Sequence, residues 1–329
     1  MTAITATVQM FFTERLVTEK GASPATITAY RDTVRLLLNH ASQTTRTPVA
    51  RLDFAQLDAG LVSGFLQHLE TGRGNSARTR NARLAAVRSL FTYAARRHPE
   101  HADDIARVLA IGPKRAAHTI ITYLADPELT ALIAACGQDT ATGRRDRVMI
   151  HLAAQTGLRA AELLALTPAD LHLDGGAHVS CNGKGRKRRA TPLTADTVTL
   201  LRSWLTERPR TGTAPLFTTS RRTALTRDAF AQRLSVHAAT AAADCTSLAS
   251  KKVTPHVLRH TAAMRLLHAG VDIAVIALWL GHESLTTTAI YLKADLETKE
   301  KAIARTAPIG TPPGRYQPGD ALLAFLDSL

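Results

Sequence analysis

The feature that most constrains the fold is apolar spacing of three and four residues, which recurs along almost the whole chain. The segment "SPATITAYRDTVRLLLNHA" predicts a helix with Ser23 as N-cap and Pro24 in the first turn. The segment "SARTRNARLAAVRSLFTYAARRH" repeats the pattern. The buried faces are expected to carry Ile27, Tyr30, Val34, Leu37 and Leu38 in the first helix and Leu84, Val87, Leu90 and Phe91 in the second. The chain is therefore expected to be mainly α-helical.

Helical periodicity lapses near Gly112 and Pro113, and a later helix is predicted to start with Asp126 as N-cap and Pro127 after it. We therefore predict two domains. The expected bounds are 1–112 for a helical first domain, 113–122 for a linker, 123–306 for a second domain and 307–329 for a C-terminal tail. The tail ends in an apolar segment from Ala321 to Leu329. A short apolar helix cannot bury its own leucines, so this segment is expected to dock on another surface.

One stretch interrupts the helical pattern of the second domain. Between Asp170 and Leu193 the sequence "DLHLDGGAHVSCNGKGRKRRATPL" has two glycine turns and short alternating pieces. This pattern predicts a small antiparallel sheet with "GKG" at the tip of a hairpin. The second domain is therefore expected to be mixed α/β but mostly α.

The charge of the chain is strongly positive. Its 41 Lys and Arg residues outweigh 27 Asp and Glu residues, for a net charge of +14. An excess of this size favours a polyanionic partner, with nucleic acid ahead of an anionic membrane surface. A solvated basic face is the alternative for the helical arginines, and a solvated loop is the alternative for "GKGRKRR". The residues predicted to contact DNA are Arg78, Arg80, Arg83, Arg88, Lys184, Arg186, Lys187, Arg188, Arg221 and Arg222.

Cysteine usage and apolar runs suggest a cytoplasmic protein. Cys136, Cys181 and Cys245 are widely spaced and form no C-x-x-C pair, which is typical of reduced core residues. The N-terminal stretch "MTAITATVQMFFTERL" lacks the pattern of a signal peptide. The most apolar run, "IAVIALWL", is too short to span a bilayer. We therefore expect a soluble chain.

The segment "TPHVLRHTAAMRLLHAG" predicts a helix with Thr254 as N-cap and Gly270 just past its end. His256 and Arg259 then share the first turn, where free N–H groups and the positive end of the helix dipole favour an anion. A capping histidine with a surface arginine is the plainer alternative. A zinc site is disfavoured although His260 and His282 lie nearby, because no carboxylate or cysteine completes a ligand set.

Two further motifs carry basic residues. In "TGLRAAELLAL", Arg159 begins a helix and Glu162 lies one turn on, within reach of a neighbouring basic group. In "GKGRKRR", Lys184 lies at a glycine turn from which it can reach into a groove. Two arginines can clamp a phosphodiester and stabilise charge in its transition state, so these motifs suit phosphate cleavage without a metal. The nucleophile is then a Ser, Thr or Tyr residue, since no cysteine lies in these motifs.

The motifs "TGLRAAELLAL", "GKGRKRR", "HVLRH" and "LGHESLTTTAIY" occur in this order, with nine residues from His282 to Tyr291. In this order and spacing the chain resembles the tyrosine recombinases of the phage integrase family. The resemblance covers nearly the whole chain, although the first domain matches in layout more than in motif. It implies a clamp of two domains, a helical SAM-like core-binding domain and a mostly helical catalytic domain.

The resemblance also implies roles at a scissile phosphate. Arg159 and Arg259 would bind that phosphate, His256 would hydrogen-bond it and assist proton transfer, and His282 would hold a nonbridging oxygen. Each position carries a residue type that can donate to phosphate oxygens. DNA would therefore be bound through its backbone at the cleavage site.

Three more residues receive roles from the resemblance. Tyr291 would attack phosphorus to form a 3′-phosphotyrosyl link, Lys184 would protonate the departing 5′ oxygen, and Glu162 would support the first arginine. No cofactor is implied, neither a metal nor ATP. Such enzymes act as tetramers that exchange C-terminal segments, and the wording of the motifs also resembles recombinases of transposable elements. Here 38 residues follow Tyr291, so docking in cis, in trans or on a partner recombinase stays open.

Two other functions remain open at this point. A type IB topoisomerase would use the same side chains to relax DNA without joining new partners. A DNA-binding regulator without catalysis could use the same scaffold. A metal-dependent nuclease is less favoured, because acidic residues do not cluster near the basic motifs.

Overall fold

The fold was obtained as a computed structural model that describes residues 3–115, 121–183, 188–208 and 214–294. These residues are mainly helical and include one three-stranded sheet, which confirms the predicted fold class. They form two compact units, one within Met1–Thr119 and one within Ile120–Leu329. The predicted tail helix from Ala321 to Leu329 and the middle of the predicted linker lie outside the described residues.

The first unit is helical throughout its described elements. Helix α1 runs directly into a π-helical stretch at Phe11–Glu19. The α-helices are α1 (Ala3–Met10), α2 (Pro24–Thr45), α3 (Ala59–Thr71), α4 (Ala77–Ala94) and α5 (Ala102–Leu109). Helices α2, α3 and α4 pack against one another, and their apolar faces surround Phe54 and Phe65.

The first two predicted helices are confirmed at their starts, and the predicted buried stripe is confirmed in full for the second helix and for Val34 and Leu37 of the first. The Ser23 hydroxyl accepts a hydrogen bond from the backbone N–H of Thr26, the N-cap geometry that satisfies a free donor of the first turn. The Ser76 hydroxyl does the same for Thr79 in α4. Every apolar residue predicted for the α4 stripe is buried, namely Leu84, Val87, Leu90 and Phe91.

The second unit places a small sheet beside a helical core. Its helices are α6 (Asp126–Ala134), α7 (Ala141–Thr156), α8 (Ala160–Ala165), α9 (Ala195–Glu207), α10 (Arg227–Ala241), α11 (Pro255–His268), α12 (Ile273–Leu280) and α13 (Leu285–Ala294). Helix α7 packs against α6, α8, α9 and α11 and is therefore the centre of the core.

The predicted antiparallel sheet is confirmed. Its strands are β1 (Leu171–His172), β2 (His178–Asn182) and β3 (Arg188–Pro192), in that spatial order. Val179 pairs with Thr191 in the centre of the sheet. Gly183 is described, but the rest of the predicted hairpin tip, residues 184–187, lies outside the described residues, and with it Lys184, Arg186 and Lys187.

A buried ion network joins α7 to α10. The Asp146 carboxylate is fully buried and accepts hydrogen bonds from Arg145 at 2.6 Å, Arg233 at 2.6 Å and His237 at 2.9 Å. Burial opposes the charge of Asp146, but the hydrogen bonds from His237 and Arg145 outweigh it and lower the pKa of this carboxyl group. The network is therefore a charged crosslink inside the second unit.

The predicted start of α6 is wrong by one residue. Asp126 is the first helical residue, and the N-cap is Ala125, whose methyl group cannot accept a hydrogen bond. The Glu128 carboxylate instead accepts from the Ala125 backbone N–H at 2.8 Å. Half of a capping box therefore replaces the expected aspartate cap.

The cysteines and the apolar run behave as expected. Cys136 and Cys181 are buried, Cys245 is half-buried, and all three are free thiols. None of the described helices is long and apolar enough alone to cross a bilayer. Helix α12 meets those criteria only together with Leu285–Tyr291, across a bend of 112°.

Candidate active site

The turn after α7 is built around Gly157. This residue ends the helix at φ +64°, in the left-handed region that favours glycine. A Cβ atom there would lie 2.6 Å from Leu280 Cδ2 and 3.1 Å from Ala262 Cβ. The backbone of "TGLR" can therefore approach α11 and the end of α12 closely, and it delivers Arg159 to the N-cap position of α8.

The two predicted arginines bind successive carbonyl groups at the end of α12. Arg259 Nη2 donates to the Leu280 carbonyl at 2.7 Å, and Arg159 Nη2 donates to the Gly281 carbonyl at 3.2 Å. Arg259 Nη1 also donates to the Gly157 carbonyl at 2.6 Å. The C-terminal end of a helix carries partial negative charge, which stabilises both guanidinium groups there. The arginines, 100 residues apart in sequence, thus meet at one turn.

Arg259 is held in the protein interior. Its exposed fraction is 4%, and the sequence pattern did not indicate such burial. Burial, followed by repulsion from Arg159, lowers the pKa of Arg259 to about 10. The group is therefore still cationic at neutral pH, and its two hydrogen bonds occupy only two of the five N–H donors of a guanidinium.

Glu162 connects the first arginine to the sheet. Its Oε1 accepts from Arg159 Nη1 at 2.9 Å, and its Oε2 accepts from the Arg159 backbone N–H at 2.8 Å. Burial raises the pKa of Glu162, but hydrogen bonds from Arg189 and the Arg159 backbone outweigh burial and lower the pKa to about 2. Glu162 thus contacts a neighbouring basic group, as the sequence predicts, and it binds both Arg159 and Arg189.

Arg189 is the residue of this site that sequence reasoning missed. Its Nη2 donates to Glu162 Oε2 at 2.7 Å and its Nη1 to Oε1 at 3.2 Å, a two-pronged ion pair. In the sequence it is one member of the basic run "GKGRKRR". Alternation along β3 would have indicated its inward orientation. Arg189 shares a face of the strand with the buried Thr191, whereas Arg188 is exposed on the other face.

Gly281 allows the sheet and α12 to meet. It ends α12 at φ +65°, and a Cβ atom there would lie 2.8 Å from Arg189 Nη1. A side chain would therefore strain the backbone and displace the guanidinium. Arg159, Arg189, Gly281 and His282 together line a pocket of ≈ 540 Å³.

His282 lies directly after this turn. Its Nδ1 hydrogen-bonds the buried Thr288 hydroxyl at 2.7 Å, which ties the imidazole to α13. Burial lowers the pKa of His282 to about 4, with Arg259 and Arg159 adding repulsion. The ring is therefore neutral at pH 7 and can still donate one N–H group.

Tyr291 is buried rather than open to the pocket. Its exposed fraction is 1%, and it packs in a cluster with Met264, Ile276 and Leu280. Burial raises the pKa of the phenol, which the charge of Arg259 partly offsets. Ser284 caps α13 by accepting from the Thr286 N–H at 3.2 Å, and the helix then carries Tyr291 into the core.

His260 of α11 links Tyr291 to the helix that carries Arg259, and His256 lies beside His260. His260 Nδ1 lies 3.0 Å from Tyr291 Oη, and the two rings form an edge contact at 5.6 Å. His256 is exposed in the first turn and lies 5.6 Å from the His260 ring, centroid to centroid. The Thr254 hydroxyl accepts from the Val257 N–H at 3.3 Å, which confirms the predicted N-cap.

One arginine predicted to contact DNA is buried in the free chain. Arg80 is only 6% exposed and donates to the Gly112 carbonyl at 3.1 Å and to Asn81 Oδ1 at 3.0 Å. It follows the same spacing as Leu84 and so lies on the inner face of α4. The other described arginines of that prediction are exposed or, for Arg83, half-buried, namely Arg78, Arg83, Arg88, Arg188, Arg221 and Arg222.

Comparison with known proteins identifies the family of this chain. Residues 122–298 match the model of the phage integrase family, and residues 11–98 match that of the phage integrase N-terminal SAM-like domain. The chain is 48% identical over 321 residues to a Sinorhizobium fredii protein named as integrase/recombinase y4rC, covering 98% of this chain and 97% of the relative. It is 32% identical over 291 residues to tyrosine recombinase XerC of Pelobacter propionicus, covering 87% and 90%. The chain therefore belongs to the phage integrase family of tyrosine recombinases.

A solved structure shares the fold. It is a XerH site-specific recombinase bound to palindromic difH substrate in a post-cleavage complex. The TM-score is 0.67 at 24% sequence identity, over 88% of this chain and 82% of that one. The likeness extends over helices of both units and agrees with the family assignment.

Proposed function

We propose that this chain is a site-specific DNA recombinase that cleaves and rejoins duplex DNA through a 3′-phosphotyrosyl link on Tyr291. One observation carries the proposal. Arg259 and Arg159 donate to the successive carbonyls of Leu280 and Gly281, respectively, directly before His282. Three phosphate-binding side chains from distant parts of the sequence therefore converge at one turn.

The converging groups suit a phosphodiester. Arg159 is half-exposed, so its guanidinium can meet a DNA phosphate, whereas Arg259 supplies positive charge from the interior. Neutral His282 and exposed His256 add donors. Charge-assisted donors that are aimed at the transition state commonly contribute about 10²–10³ in rate each.

Proton balance requires an acid as well as a nucleophile. A phenol with a pKa of ~10 is ionised in about one molecule in a thousand at pH 7, so Tyr291 needs help to attack. The departing 5′ alkoxide is far more basic, and Lys184 is the proposed donor to it. The ester keeps the energy of the broken bond, so a 5′ hydroxyl can reverse the step without ATP or a metal.

DNA is the proposed partner, bound at specific recombination sites in the cytoplasm by a homotetramer. The tail could pass between neighbouring protomers. Support comes from exposed apolar residues on α12 and α13, namely Val275, Leu278, Leu285 and Ile290, with Leu278 76% exposed. Apolar residues of the tail, such as Leu322 and Phe325, match them in character. Integration or transposition of a mobile element is the proposed setting.

A nicked suicide substrate tests the proposal. Diffusion of the cleaved fragment traps the covalent protein–DNA adduct, which is then seen on a denaturing gel. Wild-type protein should form the adduct, and Tyr291→Phe should not. An adduct with Tyr291→Phe would overturn the assignment and make Tyr316 the next candidate. Relaxation of any supercoiled plasmid by monomers, without strand exchange, would instead support a type IB topoisomerase activity.

A further inference from the structure

The His260–Tyr291 pair joins two helices at the proposed reaction centre. His260 lies on α11 immediately after Arg259, and Tyr291 lies on α13, which packs against α11. The 3.0 Å distance between His260 Nδ1 and Tyr291 Oη is that of a hydrogen bond. The phenol oxygen that would attack phosphorus therefore already has an imidazole nitrogen as its partner.

The surroundings decide which way this hydrogen bond runs. The titratable groups that face His260 are His256 and Arg259 on its own helix, His282 beyond α12, and Tyr291 on α13. Burial, His256 and Arg259 together lower the pKa of His260 to about 4. His260 is therefore neutral at pH 7, and the tautomer protonated at Nε2 leaves Nδ1 as an acceptor for the phenolic O–H.

We infer that His260 is the general base of the cleavage step, taking the phenolic proton of Tyr291 at Nδ1 as Oη attacks phosphorus. The inference rests on the proposed attack by Tyr291. The Oη–P bond forms, the P–O5′ bond breaks, and the proton of Oη moves to His260, which becomes imidazolium. The 5′ oxygen receives a different proton, from the acid proposed above. On rejoining, His260 returns its proton to Oη.

Negative charge at the reaction centre makes this transfer feasible. In the free chain the nearby cation Arg259 disfavours an imidazolium at His260. A scissile phosphate carries one negative charge and gains further negative charge in the transition state. Bound at His256, it would be separated from His260 by about the width of one ring. That charge opposes the effect of the arginine and raises the basicity of His260 when the proton must move.

His260 fits the role better than its neighbour on the same helix. His256 received the proton-transfer role from the family resemblance, but it is exposed and separated from Tyr291 by the His260 ring. The spacing of His256 and His260, four residues apart, stacks them on one face of α11. His256 would then meet the phosphate while His260 serves the nucleophile.

A DNA substrate with a 5′-bridging phosphorothiolate isolates the base from the acid. A thiolate leaves without protonation, so single-turnover cleavage of this substrate reports activation of Tyr291 alone. His260→Asn keeps a hydrogen-bond acceptor but cannot take a proton, and it should cleave about 10²–10⁴-fold more slowly than wild type. Wild type should be nearly pH-independent from pH 6 to pH 8.5, whereas the variant should gain close to tenfold per pH unit.

Matched variants separate chemistry from folding. His268→Asn alters a histidine two turns later on α11 and should keep the wild-type rate and pH profile. His260→Ala should regain much of its rate on addition of imidazole, which a merely structural role would not produce. Melting temperature and DNA affinity identify the variants that remain folded. If His260→Ala does not fold, the test rests on the rate and pH profile of His260→Asn.

The outcomes distinguish the two proposals. A wild-type chain that forms no adduct, or a Tyr291→Phe chain that does, overturns the proposed function and this inference with it. A Tyr291 adduct that forms at the wild-type rate and with the wild-type pH profile in folded His260→Asn overturns the inference alone. A slowed, pH-dependent variant that imidazole rescues supports it.

Discussion

Arg189 and Arg159 share one carboxylate, because both guanidinium groups bind Glu162 from opposite elements, β3 and α8. A single negative charge therefore lies between two cations at the edge of the pocket lined by Arg159, Arg189 and His282. Glu162 is only 8% exposed in its side chain, so little water screens the arrangement. Under the proposed function, Arg189 would therefore act through Glu162 and Arg159, as a positioning residue.

Replacing Arg189 should slow cleavage more than it weakens DNA binding. In Arg189→Gln, Glu162 loses its two-pronged partner and would pull more strongly on Arg159, which misplaces a donor of the transition state. We expect a fall of about 10–100-fold in single-turnover rate at saturating DNA. Arg188→Gln, on the exposed face of the same strand, should keep the rate. Equal rates in Arg189→Gln and wild type would contradict the positioning role.

Glycine at 281 should be required for two separable reasons. Gly281→Ala places a side chain at φ +65° and 2.8 Å from Arg189 Nη1. Gly270→Ala places one at φ +81° with nothing within 4 Å, so it measures the backbone cost alone. That backbone cost is about 1–2 kcal/mol. We expect Gly281→Ala to lower the free energy of unfolding in urea by more than this, and to abolish DNA cleavage. Similar losses in both variants would argue against close approach to Arg189.

Much of this fold follows from local signals. Ser23, Thr254 and Ser284 act as N-caps through their own side chains, so a short window of sequence is enough to find them. The strand pieces around Val179 were likewise visible as alternation between glycine turns.

The remaining features depend on contacts between distant segments. Burial of Tyr291 against His260 arises from the packing of α13 on α11, which no local window contains. The burial of Arg80 is indicated by its spacing from Leu84. The net positive charge of the chain favours the opposite prediction, a side chain that contacts DNA. Arg189 was missed because a run of basic residues hides the alternation of its strand.

The Glu162 carboxyl group should make stability depend on acid pH. Its pKa falls from the ordinary 4.5 to about 2 in the folded chain. Because the folded pKa is the lower one, the carboxylate stabilises the fold above about pH 4.5 and this stabilisation is lost as the pH falls toward 2. The shift corresponds to about 3 kcal/mol. Wild type should therefore lose its advantage over Glu162→Gln between pH 5 and pH 2 in denaturant unfolding, and a constant difference would contradict the assignment.

Salt dependence of DNA binding should separate the arginines of α4. Arg78 and Arg88 are exposed, whereas Arg80 binds the Gly112 carbonyl in the interior. Each phosphate contact that is lost should reduce the slope of log K against log salt by about 0.9, so Arg78→Ala and Arg88→Ala should flatten it. Arg80→Ala should instead leave the slope unchanged and lower the free energy of unfolding, since it removes a buried hydrogen bond. A flattened slope for Arg80→Ala with unchanged stability would mean that Arg80 turns outward to meet the DNA.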